Sequence, residues 1–183
     1  MQSWITRSRK TILNHSKFLC VQDHTIELPN GRVIENWTWL ITPDYINAVL
    51  VTQDKKFLCF RQTKYAVDGV SLAPVGGYLE PGEEPLVTAK REVLEETGYE
   101  SSEWIPLGHY AVDGNRGAGV AHFFLALNAR KIQPRNADDL EEQEEVLLTR
   151  AQVEQAIANG EFKVLAWSAI MALALLYLDK PTN

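Results

Sequence analysis

The segment Tyr45–Thr52 carries the apolar core INAVLV, and it limits the fold more than any other stretch of the chain. Neighbouring residues of a strand point to opposite sides, so a strand that is apolar at successive positions must be covered on both faces. Lys56–Arg61 returns as a partner strand after the polar turn Asp54–Lys56. Two segments can supply the covering layers. Pro85–Thr97 has proline in its first turn, no internal glycine and Gly98 as a stop, the pattern of a helix with Leu86, Ala89, Val93 and Leu94 as its apolar stripe. Val164–Leu178 is fifteen residues long with Ser168 as its only clearly polar member. It falls short of the ~20 residues needed to cross a bilayer, so a buried helix is expected and a membrane is not expected as a partner.

The N-terminal part reads differently. Phe18–Val21, Thr25–Leu28 and Arg32–Ile41 are β-prone, and Pro29–Gly31 is a hairpin turn. Trp104–Ala111 and Val120–Leu127 read as later strands around a flexible loop, Asp113–Gly119. Thr149 is placed to cap a short helix that ends near Gly160. Strands and helices are interleaved while the early strands come as hairpins, which predicts an α+β fold with helices packed on a mixed sheet. We divide the chain into residues 1–42, a β-strand region, and residues 43–179, the main domain.

Composition bounds the function. With 45% hydrophobic and 23% charged residues the chain can fill a core, and disorder of the bulk is excluded. The formal charge of −6 argues against nucleic acid as a partner. That charge is local, because Asp138–Glu145 holds six acids in eight residues and the remaining acids and bases balance. Cys20 and Cys59 sit in apolar surroundings without metal-ligand spacing, as expected of buried thiols in a reducing compartment. No apolar run follows the basic N-terminus as a signal peptide requires, so a cytoplasmic protein is expected.

The chemistry concentrates on the first helix. Glu92, Glu95 and Glu96 are related by three and four residues and share a face. Three carboxylates there repel, and Arg91, four before Glu95, compensates one of them. A hard divalent cation such as Mg²⁺ or Mn²⁺ suits the surplus on Glu92 and Glu96, while a solvated acidic face is the other reading. Gly76, Gly77 and Gly82 frame a tight loop before the helix, where backbone can approach a ligand closely.

From Gly77 to Tyr99 the chain reads G-x5-E-x7-R-E-V-x-E-E-x-G-Y. This resembles the Nudix box of the diphosphate hydrolases. All seven fixed residues match, namely Gly77, Glu83, Arg91, Glu92, Glu95, Glu96 and Gly98; aromatic Tyr99 is a mild departure. The resemblance implies a Nudix-type α/β/α sandwich with a small N-terminal β-strand extension. It also implies hydrolysis of a nucleoside diphosphate derivative, with Glu92, Glu95, Glu96, Glu83 and the Gly76 carbonyl at the metal and Arg91 orienting the glutamates. Outside the box, the order of the LPNGRVIENW, FRQTKYAV and PVGG segments and the final helices is similar to the ADP-ribose pyrophosphatase branch. That likeness implies a homodimer joined by the N-terminal strands, with an aromatic stack on adenine. Two positions depart from the branch: Gly114 replaces a usual proline, and Lys64 stands where arginine is common, which removes bidentate phosphate recognition. GDP-sugars, other ADP-sugars and dinucleotides therefore stay open as substrates.

Further candidates each have two readings. Trp37 and Trp39 face one side of a strand, for core or dimer packing or for stacking on a purine. Arg61 is a substrate-facing or a surface residue, and Arg116 is the cation of the glycine-rich loop DGNRGAG. The acidic run is a solvated loop or the start of a helix. In the branch it resembles, a glutamate from this place serves as base or metal ligand, which points to Glu141 and Glu142, with Asp139 and Glu144 in reserve. An isomerase of the same fold would want a cysteine at the site, and a non-catalytic nucleotide-binding module would show a degraded box. Nucleoside triphosphates remain a further substrate class.

Overall fold

The computed structural model describes residues 1–136 and 142–180. Its strands are β1 (Ile5–His15), β2 (Leu19–Glu27), β3 (Val33–Ile41), β4 (Tyr45–Thr52), β5 (Phe57–Lys64), β6 (Val67–Ala73) and β7 (Val75–Tyr78). Helix α1 (Pro85–Thr97) follows, then β8 (Tyr99–Glu100), β9 (Glu103–Asp113), β10 (Gly117–Lys131) and β11 (Gln143–Leu148), and finally α2 (Arg150–Ala158) and α3 (Leu165–Leu178). The chain forms two compact units. One holds Met1–Asp44 with Tyr110–Ala121, the other Tyr45–His109 with His122–Asn183.

In the first unit β1, β2 and β3 form an antiparallel meander. Gly31, at φ +81°, turns β2 into β3, and its N–H reaches the Leu28 carbonyl at 2.9 Å. β1 carries no alternating apolar pattern and every one of its residues is exposed, so sequence periodicity did not mark it as a strand. The Asp113–Gly119 segment is a tight hairpin turn rather than a flexible loop: Asp113 Oδ1 accepts the N–H groups of Asn115 and Arg116 at 2.7 and 2.9 Å. Gly117 then pairs in parallel with Leu40.

In the second unit the order β10-β4-β5-β11 forms the sheet, with β7 on β4, β6 on β5 and β8 on β10. The β4–β5, β5–β11 and β4–β7 pairs are antiparallel. With the parallel β3–β10 bridge of the first unit, the chain has both kinds of strand pairing and the fold is α+β, as expected. Every residue of β4 after Tyr45 is buried, as its apolar run demands. Ile46, Ala48 and Leu50 of β4 join Leu58 and Phe60 of β5 in a core closed by Ala89 and Val93 of α1. Helix α3 also packs against β4 and buries Trp167, Ile170, Met171 and Ala174, a stripe at helical spacing. Each large apolar side chain buried this way contributes roughly 1.5–3 kcal/mol. The α1 stripe differs from the expected one, because Thr88 and Thr97 are buried and Leu86 is exposed. Thr97 fits there because its hydroxyl donates to the Val93 carbonyl at 2.5 Å. Among the described residues no helix is long and apolar enough to cross a membrane.

Both ends of α1 follow from sequence. Pro85 opens the helix, and Gly98 closes it at φ +74° with its N–H on the Leu94 carbonyl. A β-carbon on Gly98 would collide with the Gln133 carbonyl, so glycine is required there twice over. Thr149 caps α2 through a capping box with Gln152. The acidic run is divided: residues from Gln143 onward form β11, paired with β5, instead of a loop or helix start. Asp138, Asp139 and Glu141 lie outside the described residues.

Candidate active site

A cavity of about 480 Å³ opens in the second unit, bordered by β4, β5, β7, α1, β11 and the start of α3. Glu92 and Glu96, one helical turn apart on α1, both line it. Glu96 is buried, and Glu92 packs onto β7 so closely that a β-carbon on Gly77 would overlap its carboxylate. A β-carbon on Gly76 would stand 2.5 Å from Asn47 Nδ2. The paired glycines thus exist because a carboxylate and a carboxamide lie against their backbone.

Arg91 lies on the other side of the box. Its Nε and Nη2 form a fork with both oxygens of Glu83, each at 3.1 Å. Its Nη1 reaches Glu92 at 2.8 Å and Glu95 at 3.1 Å. The expected Arg91–Glu95 pair is therefore one of three, and the strongest partner is Glu83, eight residues back across the loop. Bidentate hydrogen bonding to Arg91 holds the Glu83 carboxyl at about 2, well below its ordinary value, and the same contact raises the Arg91 guanidinium further. Glu83 Oε2 also accepts the Glu80 N–H at 3.3 Å, which braces the loop.

Of the three glutamates of α1, Glu92 and Glu96 line the cavity. Glu95 turns to Arg91, and neither Glu83 nor Glu95 lines the cavity. Among the described residues no three acidic, imidazole or thiol side chains converge as a metal cluster. Two carboxylates and the Gly76 backbone beside an open cavity still fit a cation of the Mg²⁺ type. Such ions take one or two protein carboxylates and complete their shell with water and substrate phosphates.

Lys64 lines the same cavity, as do Tyr45 and Tyr78, whose rings meet edge-on with centroids 6.5 Å apart. Burial, and secondarily Tyr78, pushes the Tyr45 phenol up. Arg61 does not line the cavity; it borders a neighbouring groove with Arg135, Glu142 and Glu144, which Gln62 and Gln143 also border. Glu142 immediately precedes Gln143, which does line the cavity. Trp37, Trp39 and Arg116 belong to the first unit. There the Arg116 guanidinium lies 4.5 Å from the Trp37 ring centroid, the Trp37 indole donates to the Asn115 carbonyl at 2.7 Å, and Trp39 stacks on His24. Cys59 is buried in β5 with its thiol pushed up to about 12 by desolvation, and it does not line the cavity.

Residue reading missed Asn47, Gln62, Gln143 and Trp167, all on the cavity wall. The usable signal was polarity inside otherwise buried strands: Asn47 interrupts the apolar run of β4, and Gln62 follows four buried residues and one exposed arginine in β5.

The NUDIX domain family matches residues 42–168 of the chain. A methanol dehydrogenase activator from Bacillus methanolicus is 29% identical over 161 residues, spanning 87% of this chain and 85% of that one. An ADP-ribose pyrophosphatase from Bacillus subtilis (strain 168) is 28% identical over 161 residues, spanning 88% and 84%. Among solved structures, an ADP compounds hydrolase superimposes with a TM-score of 0.81 at 17% identity, covering 97% of this chain and 95% of that one, a likeness of fold.

Proposed function

The chain belongs to the Nudix family and is a pyrophosphohydrolase, and we propose that it is a metal-dependent one whose substrate is ADP-ribose or a related nucleotide sugar. Water would add to one phosphorus of the diphosphate and the bridging P–O bond would break, leaving a nucleoside monophosphate and a sugar phosphate. One observation carries this reading: Glu92 and Glu96 line the cavity that the Gly76–Gly77 backbone enters. Glu92, Glu96 and the Gly76 carbonyl are the proposed holders of Mg²⁺ or Mn²⁺. When bound, such an ion neutralises phosphate charge and acidifies water.

The protein's own groups do the rest. Arg91 fixes the Glu92 rotamer from outside the cavity, and Glu83 fixes Arg91. Lys64, on the cavity wall, would meet a phosphate as a point charge. Glu142, one residue before the cavity-lining Gln143, is the acid we assign to receive the water's proton. Glu141, the neighbouring choice, lies outside the described residues. The similarity to the Bacillus subtilis ADP-ribose pyrophosphatase over most of both chains supports the substrate class. Buried Cys59, with its raised thiol, gives no support to an isomerase that needs a reactive cysteine at the site.

A homodimer through the first unit belongs to the same reading. β1 pairs on one side with β2, and Trp4, Ile5, Ile12 and Leu13 stand half exposed around it. An apolar edge of this kind is suited to a second copy. Free Cys20 and Cys59 accord with the reducing cytoplasm proposed as its place of work.

Incubation of the purified protein with ADP-ribose and Mg²⁺, with products identified by mass, tests the reaction. AMP and ribose 5-phosphate, lost on chelation, are expected. Turnover unaffected by a chelator refutes the metal, and intact ADP-ribose refutes the substrate. Sedimentation of Ile12→Lys tests the dimer, which should shift towards monomer.

A further inference from the structure

Three carboxamides border the cavity, and the oxygen of each is buried without a hydrogen-bond partner: Asn47 Oδ1, Gln62 Oε1 and Gln143 Oε1. These are the unpaired buried side-chain polar atoms found among the described residues; all three residues line this cavity, and Gln62 and Gln143 also border the neighbouring groove beside Arg61. Asn47 is 3% and Gln62 6% exposed, so bulk water does not serve them well. Buried acceptors are almost always paired in folded proteins, and exceptions gather where a ligand completes them. Gln62 and Gln143 are direct cross-strand partners of β5 and β11. Asn47 spends its Nδ2 on the Val75 carbonyl at 3.3 Å, which leaves its oxygen as the group to be satisfied.

These oxygens share the cavity with the Glu92 and Glu96 carboxylates, which also accept. A diphosphate brings acceptors alone, so it cannot satisfy these three oxygens. The missing partner must donate. A fully hydrated divalent ion occupies about 180 Å³, at about 30 Å³ per water, and the cavity of about 480 Å³ is much larger. Phe60, Ile46 and Trp167 give the remaining wall an apolar surface fit for the C–H face of a sugar ring.

We propose that Asn47, Gln62 and Gln143 are specificity residues that accept hydrogen bonds from the hydroxyl groups of the sugar phosphate half of the substrate. The pocket then selects nucleoside diphosphate derivatives whose second half is a polyhydroxylated sugar, and it disfavours nucleoside triphosphates, which lack one. This inference rests on the hydrolase reading above and names the part of the substrate that the cavity reads.

The test is product inhibition by ribose 5-phosphate and its 2-deoxy and 3-deoxy analogues, on wild type, Gln62→Met and Gln143→Met. Methionine nearly matches glutamine in shape and removes the acceptor. The wild type should prefer ribose 5-phosphate over at least one deoxy analogue by about 3–10-fold, the worth of a neutral hydrogen bond. That preference should fall below about twofold in at least one methionine variant and persist in Gln62→Glu, which keeps an acceptor. Inhibition by AMP and Mn²⁺ affinity, read by electron paramagnetic resonance, should not change. Melting temperature of the free methionine variants should hold or rise, since an unpaired buried oxygen is gone.

A wild type indifferent to the hydroxyls overturns the proposal, as does a preference that survives in both methionine variants. Parallel loss of Mn²⁺ affinity overturns it too, and assigns the oxygens to water on the metal. A lowered melting temperature with all ligands equally weakened reduces them to a structural role. ADP-ribose turnover by the wild type in the same samples separates the two readings. Turnover without hydroxyl preference sinks this inference alone, whereas no turnover of any nucleoside diphosphate derivative sinks the hydrolase reading as well.

Discussion

Helix α1 presents two kinds of carboxylate within five residues. On one side Glu95 and the loop residue Glu83 close around Arg91, with every contact near 3 Å. On the other side Glu92 and Glu96 face a cavity whose remaining wall is rich in acceptors, three of them unpaired. Glu92 belongs to both, since Arg91 reaches it at 2.8 Å. The closed side behaves as a brace: its charges are spent within the protein, and its effect is positional. The open side presents its two carboxylates to a cavity wall, and that is a property of a binding site. Charge count alone does not separate the two. The reach of one guanidinium across the loop to Glu83 does.

The comparison is broken most directly at the open side. Glu92→Gln and Glu96→Gln keep shape and remove charge, and each should lower kcat by ~10²–10⁴, the range of a positioned charge or proton-transfer group. Steady-state kinetics at saturating Mg²⁺ decides this, and near-normal turnover in either variant removes that carboxylate from the site. Next comes Gly77→Ala. The added methyl must displace the Glu92 carboxylate, and misplacement by about 1 Å costs about 10²-fold in rate. The expected signature is lost kcat with folding retained, as read by circular dichroism.

The closed side should respond in stability and pH more than in chemistry. Glu83 titrates at about 2 because Arg91 holds it ionised, against an ordinary value of 4.5. A carboxyl with a lowered folded value contributes stability above pH 4.5 and loses it as pH falls towards 2. Glu83→Gln should therefore be less stable than wild type at pH 6, and the gap should narrow on acidification through that window. Urea midpoints at pH 6 and pH 3 measure it, and a gap that stays constant with pH removes the brace. The smallest effect is expected at Glu144, which is exposed on β11 opposite Arg61 and outside the cavity lining. Glu144→Gln should change kcat by less than about twofold, as surface substitutions do. A larger loss would extend the open side to the second groove.

Much of the closed and open sides was legible residue by residue. The spacing of Glu92 and Glu96 fixes them one turn apart on a helix, whatever else the chain does. Pro85 and Gly98 set the bounds of that helix, because a missing N–H and a positive φ are local demands. The INAVLV run required cover on both faces, and β4 has it. Strand β1 was not legible, since a fully exposed strand has no apolar period to read. The acidic run misled for a related reason: β11 pairs through its backbone with β5, and its acidic side chains carry no trace of that.

The sequence by itself determined the helix of the box, its two cavity-facing acids, the glycines before it and the family they mark. These are matters of short spacing and local conformation, which a string of residues records directly. Only the tertiary structure decided that Arg91 turns to Glu83, that Arg61 stays outside the cavity lining, and that Asn47, Gln62 and Gln143 meet there. The first needs the loop before α1 to fold back on the helix, and the others depend on the register of β5 against β11, roughly eighty residues away, which follows from packing of the whole sheet.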